Sequence, residues 1–348
     1  MEKDGKTKNM KQKKIIHIGL PKTGTTSLQK YLFPEICKKY NFLYNPPEFL
    51  KIKRQRLIYD KSDLMALKKI FAENNVMISH EGLVDWNPRN WLKASNRALE
   101  LFGEDATIVI TIREPVDYMR SLYIQKIHEG NIIKPDDFFI TSTEYDRLKL
   151  FLPERSMLRF DHQMLDYQYL KSIYEKRFKS VYLLPLSRIN SIYPFNKLFT
   201  MSRKQIANYE KTLKNAPIKN KAYSNLAFKL TLKREAILKC LNLKSSGSED
   251  YPLNNSLINK TSSEIGVSSG SLSTNKKISN QLSRLLKKFV KPWRWWMQMV
   301  VDRTFPYRKF NLPSAVLDKF DKDLLSVNEK LIKNIEDEID ALKNDITL

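Results

Sequence analysis

The sequence predicts an α/β fold built on a parallel sheet, and three observations carry that reading. Short apolar runs that stop abruptly at glycine or a polar residue, as at Ile15–Gly19, have the shape of buried parallel strands. Between them lie segments whose apolar residues recur at helical spacing. The two patterns alternate through the first half of the chain, the order that builds βαβ units.

Each element follows from its own residues. After the strand at Ile15–Gly19, residues 25–40 (TTSLQKYLFPEICKKY) form a helix with Leu28, Leu32 and Ile36 on one face, which Pro34 bends or splits. A second helix covers 62–75, with Leu64, Leu67, Ile70 and Phe71 on one face and Ser62 as its cap. The buried strand VMIS at 76–79 follows, then HEGL at 80–83. Residues 106–113 (ATIVITIR) make another strand, and Pro115 stands just inside the next helix, where its missing N–H costs nothing. Two more strands are expected at 156–160 and 180–186.

Composition then changes. Residues 243–280, dominated by Ser and Asn, read as a flexible insertion or linker. A helical C-terminal extension occupies 281–348, packing on the core or on a partner subunit, so a homodimer is one expectation. Its first helix carries Leu282, Leu285, Leu286, Phe289 and Val290 on one face. Trp293, Trp295 and Trp296 follow among Lys and Arg, a pattern of core packing or of peripheral membrane contact. The last helix runs from about Ser314 to Leu342, with an apolar stripe at 317, 320, 324, 331, 335, 339 and 342. The expected division is a basic leader at 1–13, an α/β domain at 14–242, the linker and the helical region.

Hydrophobic residues make up 42% of the 348, enough for a sizeable core, which argues against global disorder. The net charge of +23 favours anionic partners, although a general lysine bias accounts for part of it. Two distant cysteines, Cys37 and Cys240, imply reduced thiols, and the four histidines form no metal-ligand spacing. The first 14 residues are charged and hold neither a signal-peptide stretch nor a membrane anchor, so a cytoplasmic chain is expected, with an inner-membrane peripheral location as the variant. His17 reads as a core histidine, and the charges of 144–155 as solvated.

Chemistry concentrates in GLPKTGTTS, residues 19–27. A strand, a glycine turn and a hydroxyl-rich helix start make an anion site, because the first backbone N–H groups of a helix lack partners and carry partial positive charge. Gly24 lets the backbone curl, Thr23, Thr25, Thr26 and Ser27 offer hydroxyls, and Lys22 a point charge. The loop nearly spells the nucleotide motif G-x-x-x-x-G-K-[ST], but its lysine stands before the second glycine. The strands at 76–79 and 106–113 run into SHEG and IREP, without the aspartate that a magnesium–nucleotide site uses. The strand at 106–113 ends instead in Arg113, which suits bidentate binding of a second phosphate, with Ser121 eight residues on. Both lie at the C-terminal sheet edge, where open α/β folds bind ligands.

PKTGTTSL together with IREPVDYMRSLY resembles the two signature loops of the sulfotransferases that use 3′-phosphoadenosine 5′-phosphosulfate (PAPS), most closely the bacterial branch, over about residues 14–190. The resemblance implies a P-loop-like parallel sheet and no catalytic metal. It implies that Pro21, Lys22, Thr23, Gly24, Thr25 and Thr26 hold the 5′-phosphosulfate, and that Arg113 and Ser121 hold the 3′-phosphate. It also implies an acid just after VMIS, which favours Glu81 over His80 as the general base. Lys22 then stabilises the leaving phosphate. A later segment at 220–230 resembles the family's nucleotide-closing loop, but Ala222 replaces an expected hydroxyl, which puts a contact from Asn220 in doubt. Gln125, on the helix face of Ser121, is a candidate cleft residue, whereas Tyr118 and Leu122 read as packing. The expected acceptor is a glycan, a glycolipid or a small molecule, and nucleic acid is not an expected partner. The rival readings are a P-loop kinase or NTPase using ATP and Mg²⁺, and a basic nucleic-acid-binding protein, which would need a clustered basic helix that is not present.

Overall fold

The computed structural model describes residues 12–55, 57–128, 133–216, 224–240, 297–306 and 308–347. Its centre is a five-stranded parallel sheet in the order β2-β3-β1-β4-β7, so the chain is α/β with helices on both faces of a parallel sheet. The strands are β1 (Lys14–His17), β2 (Leu43–Tyr44), β3 (Val76–Ser79), β4 (Thr107–Ile112) and β7 (Ser180–Pro185). β5 (Phe139–Ile140) and β6 (Phe160–Asp161) pair in a small separate sheet.

The period-two alternation of a strand explains the layering. Ile16, Ile78, Ile108 and Ile110 point into one core, while their neighbours Ile15, Met77 and Val109 point into another. The first core takes Leu67 and Phe71 from the helix Lys61–Glu73, and Trp91, Leu101 and Phe102 from the helix Trp91–Phe102. The second takes Leu28, Leu32, Phe33 and Ile36 from the run that begins at Thr25. Both faces being covered is why these strands read as continuous apolar runs.

Several expectations change. The helix from Thr25 to Tyr40 is continuous but carries a π stretch at Leu28–Leu32, immediately before the segment Phe33–Tyr40 that Pro34 starts. Proline lacks an N–H, so the hydrogen-bond ladder is re-spaced around it. Asp60, not Ser62, caps the helix Lys61–Glu73: its carboxylate accepts from Asp63 N at 2.9 Å in a reciprocal capping box. The strand expected at 156–160 shrinks to Phe160–Asp161, because Pro153–Ser156 is helical and the ladder runs to β5, not to the main sheet. The terminal helix divides into Ser314–Leu317 and Lys322–Thr347, since Asp321 caps the second piece by accepting from Leu324 N.

The segment 243–280, the expected helix from 281 as far as 296 with its three tryptophans, and Asn220 and Ala222 lie outside the described residues. Among the described residues, no helix is long and apolar enough to cross a membrane. Met297, Val301, Leu312, Val316, Phe320 and Ile332 all join the first core, so the described C-terminal elements pack on the sheet domain.

The helix Lys322–Thr347 is fastened to the domain by polar contacts as well. Asn328 is fully buried; its amide nitrogen donates to Leu165 O at 2.6 Å and its oxygen accepts from Tyr167 N at 2.8 Å. Replacing both partners' counterpart by methyl leaves a buried N–H and a buried C=O unpaired, at about 1–3 kcal/mol each. Asn328→Ala is therefore expected to lower stability by about 2–6 kcal/mol in urea unfolding.

Candidate functional site

The loop after β1 is drawn out of the sheet along β4. Ile18 N and Leu20 N continue the ladder to Val109 O at 2.9 Å and Thr111 O at 3.1 Å. Gly19 makes this possible, since a Cβ there would stand 2.0 Å from Thr111 Oγ1 and 2.5 Å from Thr25 Cγ2. Lys22 (φ 65°) and Gly24 (φ 79°) are both left-handed, which glycine tolerates and lysine rarely adopts. Gly24 also presses on the turn after β7, where a Cβ would meet Ile189 and Leu186 side chains at 2.6 and 2.7 Å. The left-handed lysine is the kind of strained residue that surrounding structure must hold in place.

Two of the loop hydroxyls face the protein. Thr23 is fully buried; its Oγ1 donates to Leu20 O and lies 2.6 Å from Thr111 Oγ1, so what Thr23 offers an anion is its backbone N–H. Thr25 Oγ1 donates to Glu81 Oε1. Pro21, Lys22, Gly24, Thr26 and Ser27 are partly exposed at the rim.

Glu81 begins the short turn Glu81–Leu83 directly after β3. Burial raises its pKa above the ordinary 4.5, while the positive charges of Lys22 and Lys53 pull the other way. His80 caps the same turn: Nδ1 accepts from Gly82 N at 3.0 Å. Burial, with help from Lys53 and Arg97, pushes its pKa down to about 4, so the imidazole is neutral at pH 7 with Nδ1 occupied as an acceptor. Beneath the loop, His17 is fully buried, its Nδ1 2.8 Å from Ser79 Oγ, and burial holds its pKa at about 3. Gln29 Nε2 reaches the same Ser79 hydroxyl at 3.0 Å, joining the helix behind the loop to the end of β3.

Arg113 follows β4 and reaches back to the loop. Its Nη1 donates to Lys22 O at 3.2 Å, and its Nη2 to Asp117 Oδ2 at 3.3 Å. Its own carbonyl accepts from Tyr167 OH at 2.7 Å, and Tyr167 is the residue whose backbone Asn328 holds. Asp117 is shared: Arg120 and, across 192 residues, Lys309 at 3.1 Å also bind it. Burial works to raise the pKa of Asp117, but the Lys309 hydrogen bond and the Arg120 and Arg113 charges outweigh it and leave it lowered. Ser121, nearly buried, lies one helical turn beyond Asp117 on the same face of the helix Pro115–His128. Tyr118 and Leu122 are buried in the core.

A cleft of about 590 Å³ opens beside Arg113, floored by Leu186 and Ser187 and walled by Glu329, Lys333 and Glu336 of the helix Lys322–Thr347. The structure thus brings Lys22, Thr25, Glu81 and Arg113 to one edge of the sheet, with His80 on the turn that carries Glu81. Tyr167, Lys309 and Asn328 carried no sequence signal, because each acts through a partner more than fifty residues away. Among the described residues, no group of three His, Cys, Asp or Glu is placed to hold a metal ion.

No protein-family model matches the chain, and no curated protein matches it. A solved structure, a sulfotransferase from Alicyclobacillus acidocaldarius, is similar over 67% of this chain and 97% of its own, at 14% identity and a TM-score of 0.34. A likeness that distant carries no argument about activity, which must rest on the site's own residues.

Because the folded chain holds the Glu81 proton more tightly than the unfolded chain does, ionised Glu81 opposes folding. That cost is present above the raised pKa and fades as the pH falls through it towards 4.5. Glu81→Gln keeps an oxygen for the Thr25 hydroxyl, so it is expected to raise Tm at neutral pH. The gain should shrink to nothing below the ordinary carboxylate value of 4.5, as thermal melts of both proteins over a pH series would reveal.

Proposed function

We propose that the chain is a PAPS-dependent sulfotransferase acting on a hydroxyl or amine of an acceptor, with a glycan or glycoconjugate as the favoured class. The observation that carries this reading is the convergence of two sequence-distant groups on one loop. Glu81 accepts a hydrogen bond from Thr25, 56 residues away in sequence, and Arg113 donates to the Lys22 carbonyl, 91 residues away. An anion in the loop would therefore have a lysine, the start of a helix and a candidate base around it, and an arginine fork behind it for a second phosphate.

In this reading the loop 19–27 binds the 5′-phosphosulfate, and Arg113 with Ser121 binds the 3′-phosphate. The acceptor oxygen attacks sulfur and passes its proton to Glu81, whose raised pKa makes it a stronger base than an ordinary carboxylate. The bond from sulfur to the bridging phosphate oxygen breaks, and its electron pair leaves on that oxygen. Lys22 and the loop N–H groups oppose the negative charge that builds there. His80 is the weaker candidate base, because its Nδ1 already accepts from Gly82 and its pKa is about 4.

One observation favours a second reading. A threonine hydroxyl hydrogen-bonded to a carboxylate beside a phosphate loop is the pair with which Mg²⁺–nucleotide sites hold their metal. Thermal melts separate the two. Adenosine 3′,5′-bisphosphate is expected to raise Tm without metal, and ATP to do so far less. Equal stabilisation by ATP, or a strict requirement for Mg²⁺, overturns sulfuryl transfer in favour of an ATP enzyme.

Three variants assign the roles. Arg113→Ala is expected to erase the preference for the 3′-phosphorylated nucleotide in the same melts. Lys22→Ala should lower turnover of labelled PAPS by about 10²–10³-fold, the usual cost of losing one donor to a developing anion. Glu81→Gln should keep bisphosphate binding and lose transfer; full activity would move the base elsewhere.

A further inference from the structure

Away from this site, the helices Ser142–Phe151 and Pro153–Ser156 meet at Leu152 in a corner beside β6. Large apolar side chains crowd its outer side: Leu150 is 76% exposed, Phe151 69%, Leu152 44%, Met157 67% and Leu158 36%. Single exposed leucines are ordinary, but five such residues within nine positions at one corner concentrate apolar surface of the kind that marks an interaction site.

The corner is tied by hydrogen bonds. Pro153 ends the first helix, Leu152 N donates to Leu148 O at 2.7 Å, and Ser156 Oγ donates to Pro153 O at 2.7 Å. On its inner side Tyr145 is buried beneath the Arg89 guanidinium, which binds Asp146 at 3.2 Å and Asp161 at 2.6 Å. The apolar tips are thus held outward by a packed frame.

Charge decides what the patch fits. Arg147, Lys149 and Arg155 are exposed around it, and Glu154 is the one acid between 147 and 158. The acids on the preceding turn are engaged, Asp146 by Arg89 and Glu144 by the Thr141 cap. We infer that this corner docks the protein onto an anionic lipid bilayer, with Phe151 and its apolar neighbours entering the headgroup boundary and the basic residues facing lipid phosphates. Protruding apolar tips ringed by cations are what such an interface selects, and the overall charge of +23 steers the chain to it. The inference stands apart from sulfuryl transfer and survives or fails without it.

Co-sedimentation with vesicles tests it, using phosphatidylcholine alone and phosphatidylcholine mixed with phosphatidylglycerol. The full chain is expected to bind the anionic vesicles, less at high salt, and hardly at all to the neutral ones. Leu150→Ser with Phe151→Ser should weaken binding by about tenfold or more at unchanged Tm, from the loss of buried apolar area. Should that pair fail to fold, Lys149→Glu with Arg155→Glu gives the second reading and should remove much of the salt-dependent part. Absence of binding to anionic vesicles overturns the inference. So does binding that both pairs leave intact while replacement of Trp293, Trp295 and Trp296 by serine abolishes it. A dimer in sedimentation velocity that the serine pair dissociates would assign the patch to a second copy, and also overturns it.

Discussion

The site depends on how closely one loop can lie on one strand. Thr111, near the end of β4, receives the loop at three points: its carbonyl takes Leu20 N, its hydroxyl meets Thr23, and its side chain fills the space that a Gly19 Cβ would need. With the loop pressed flat there, Lys22 must turn through a left-handed conformation, and that turn aims its carbonyl at Arg113. The same placement leaves Thr25 facing Glu81 across the β1–β3 junction. One residue of β4 therefore sets the distance between both candidate phosphate-binding groups and the candidate base.

Electrostatics and stability pull against each other at this edge. A carboxylate half buried behind a loop would be more comfortable neutral, and its raised pKa expresses that discomfort. Lys22 and Lys53 reduce it without removing it. Perturbed carboxyl groups of this kind cluster at functional sites, which makes Glu81 a candidate for one. Cys37 is the contrast: burial raises its thiol to about 12, and it packs against Met77.

How much of this could be read beforehand follows the range of the forces involved. β1, β3, β4 and β7 were legible because strands covered on both faces become apolar runs, whereas β2, two residues long and partly exposed, leaves no such mark. The segment at 156–160 looked like a further strand of the main sheet, and the proline at 153 turned most of it into a corner. The loop and Arg113 were legible because their chemistry is local to a few residues. The inward rotation of Thr23 was not, since it answers to Thr111, 88 residues away. Nor were the exposed tips at 150–158, which a pattern of mixed charge concealed.

The support behind Arg113 has a consequence for the order in which the molecule is finished. Every strand of the main sheet is complete once Pro185 is in place, yet the carbonyl of Arg113 hangs from Tyr167, and Tyr167 from Asn328. A growing chain that has assembled its sheet still waits for its last long helix before the arginine end of the site is anchored. Completion of the candidate site thus comes as a final docking event, and transient undocking of that helix would loosen its arginine end while the sheet stays folded.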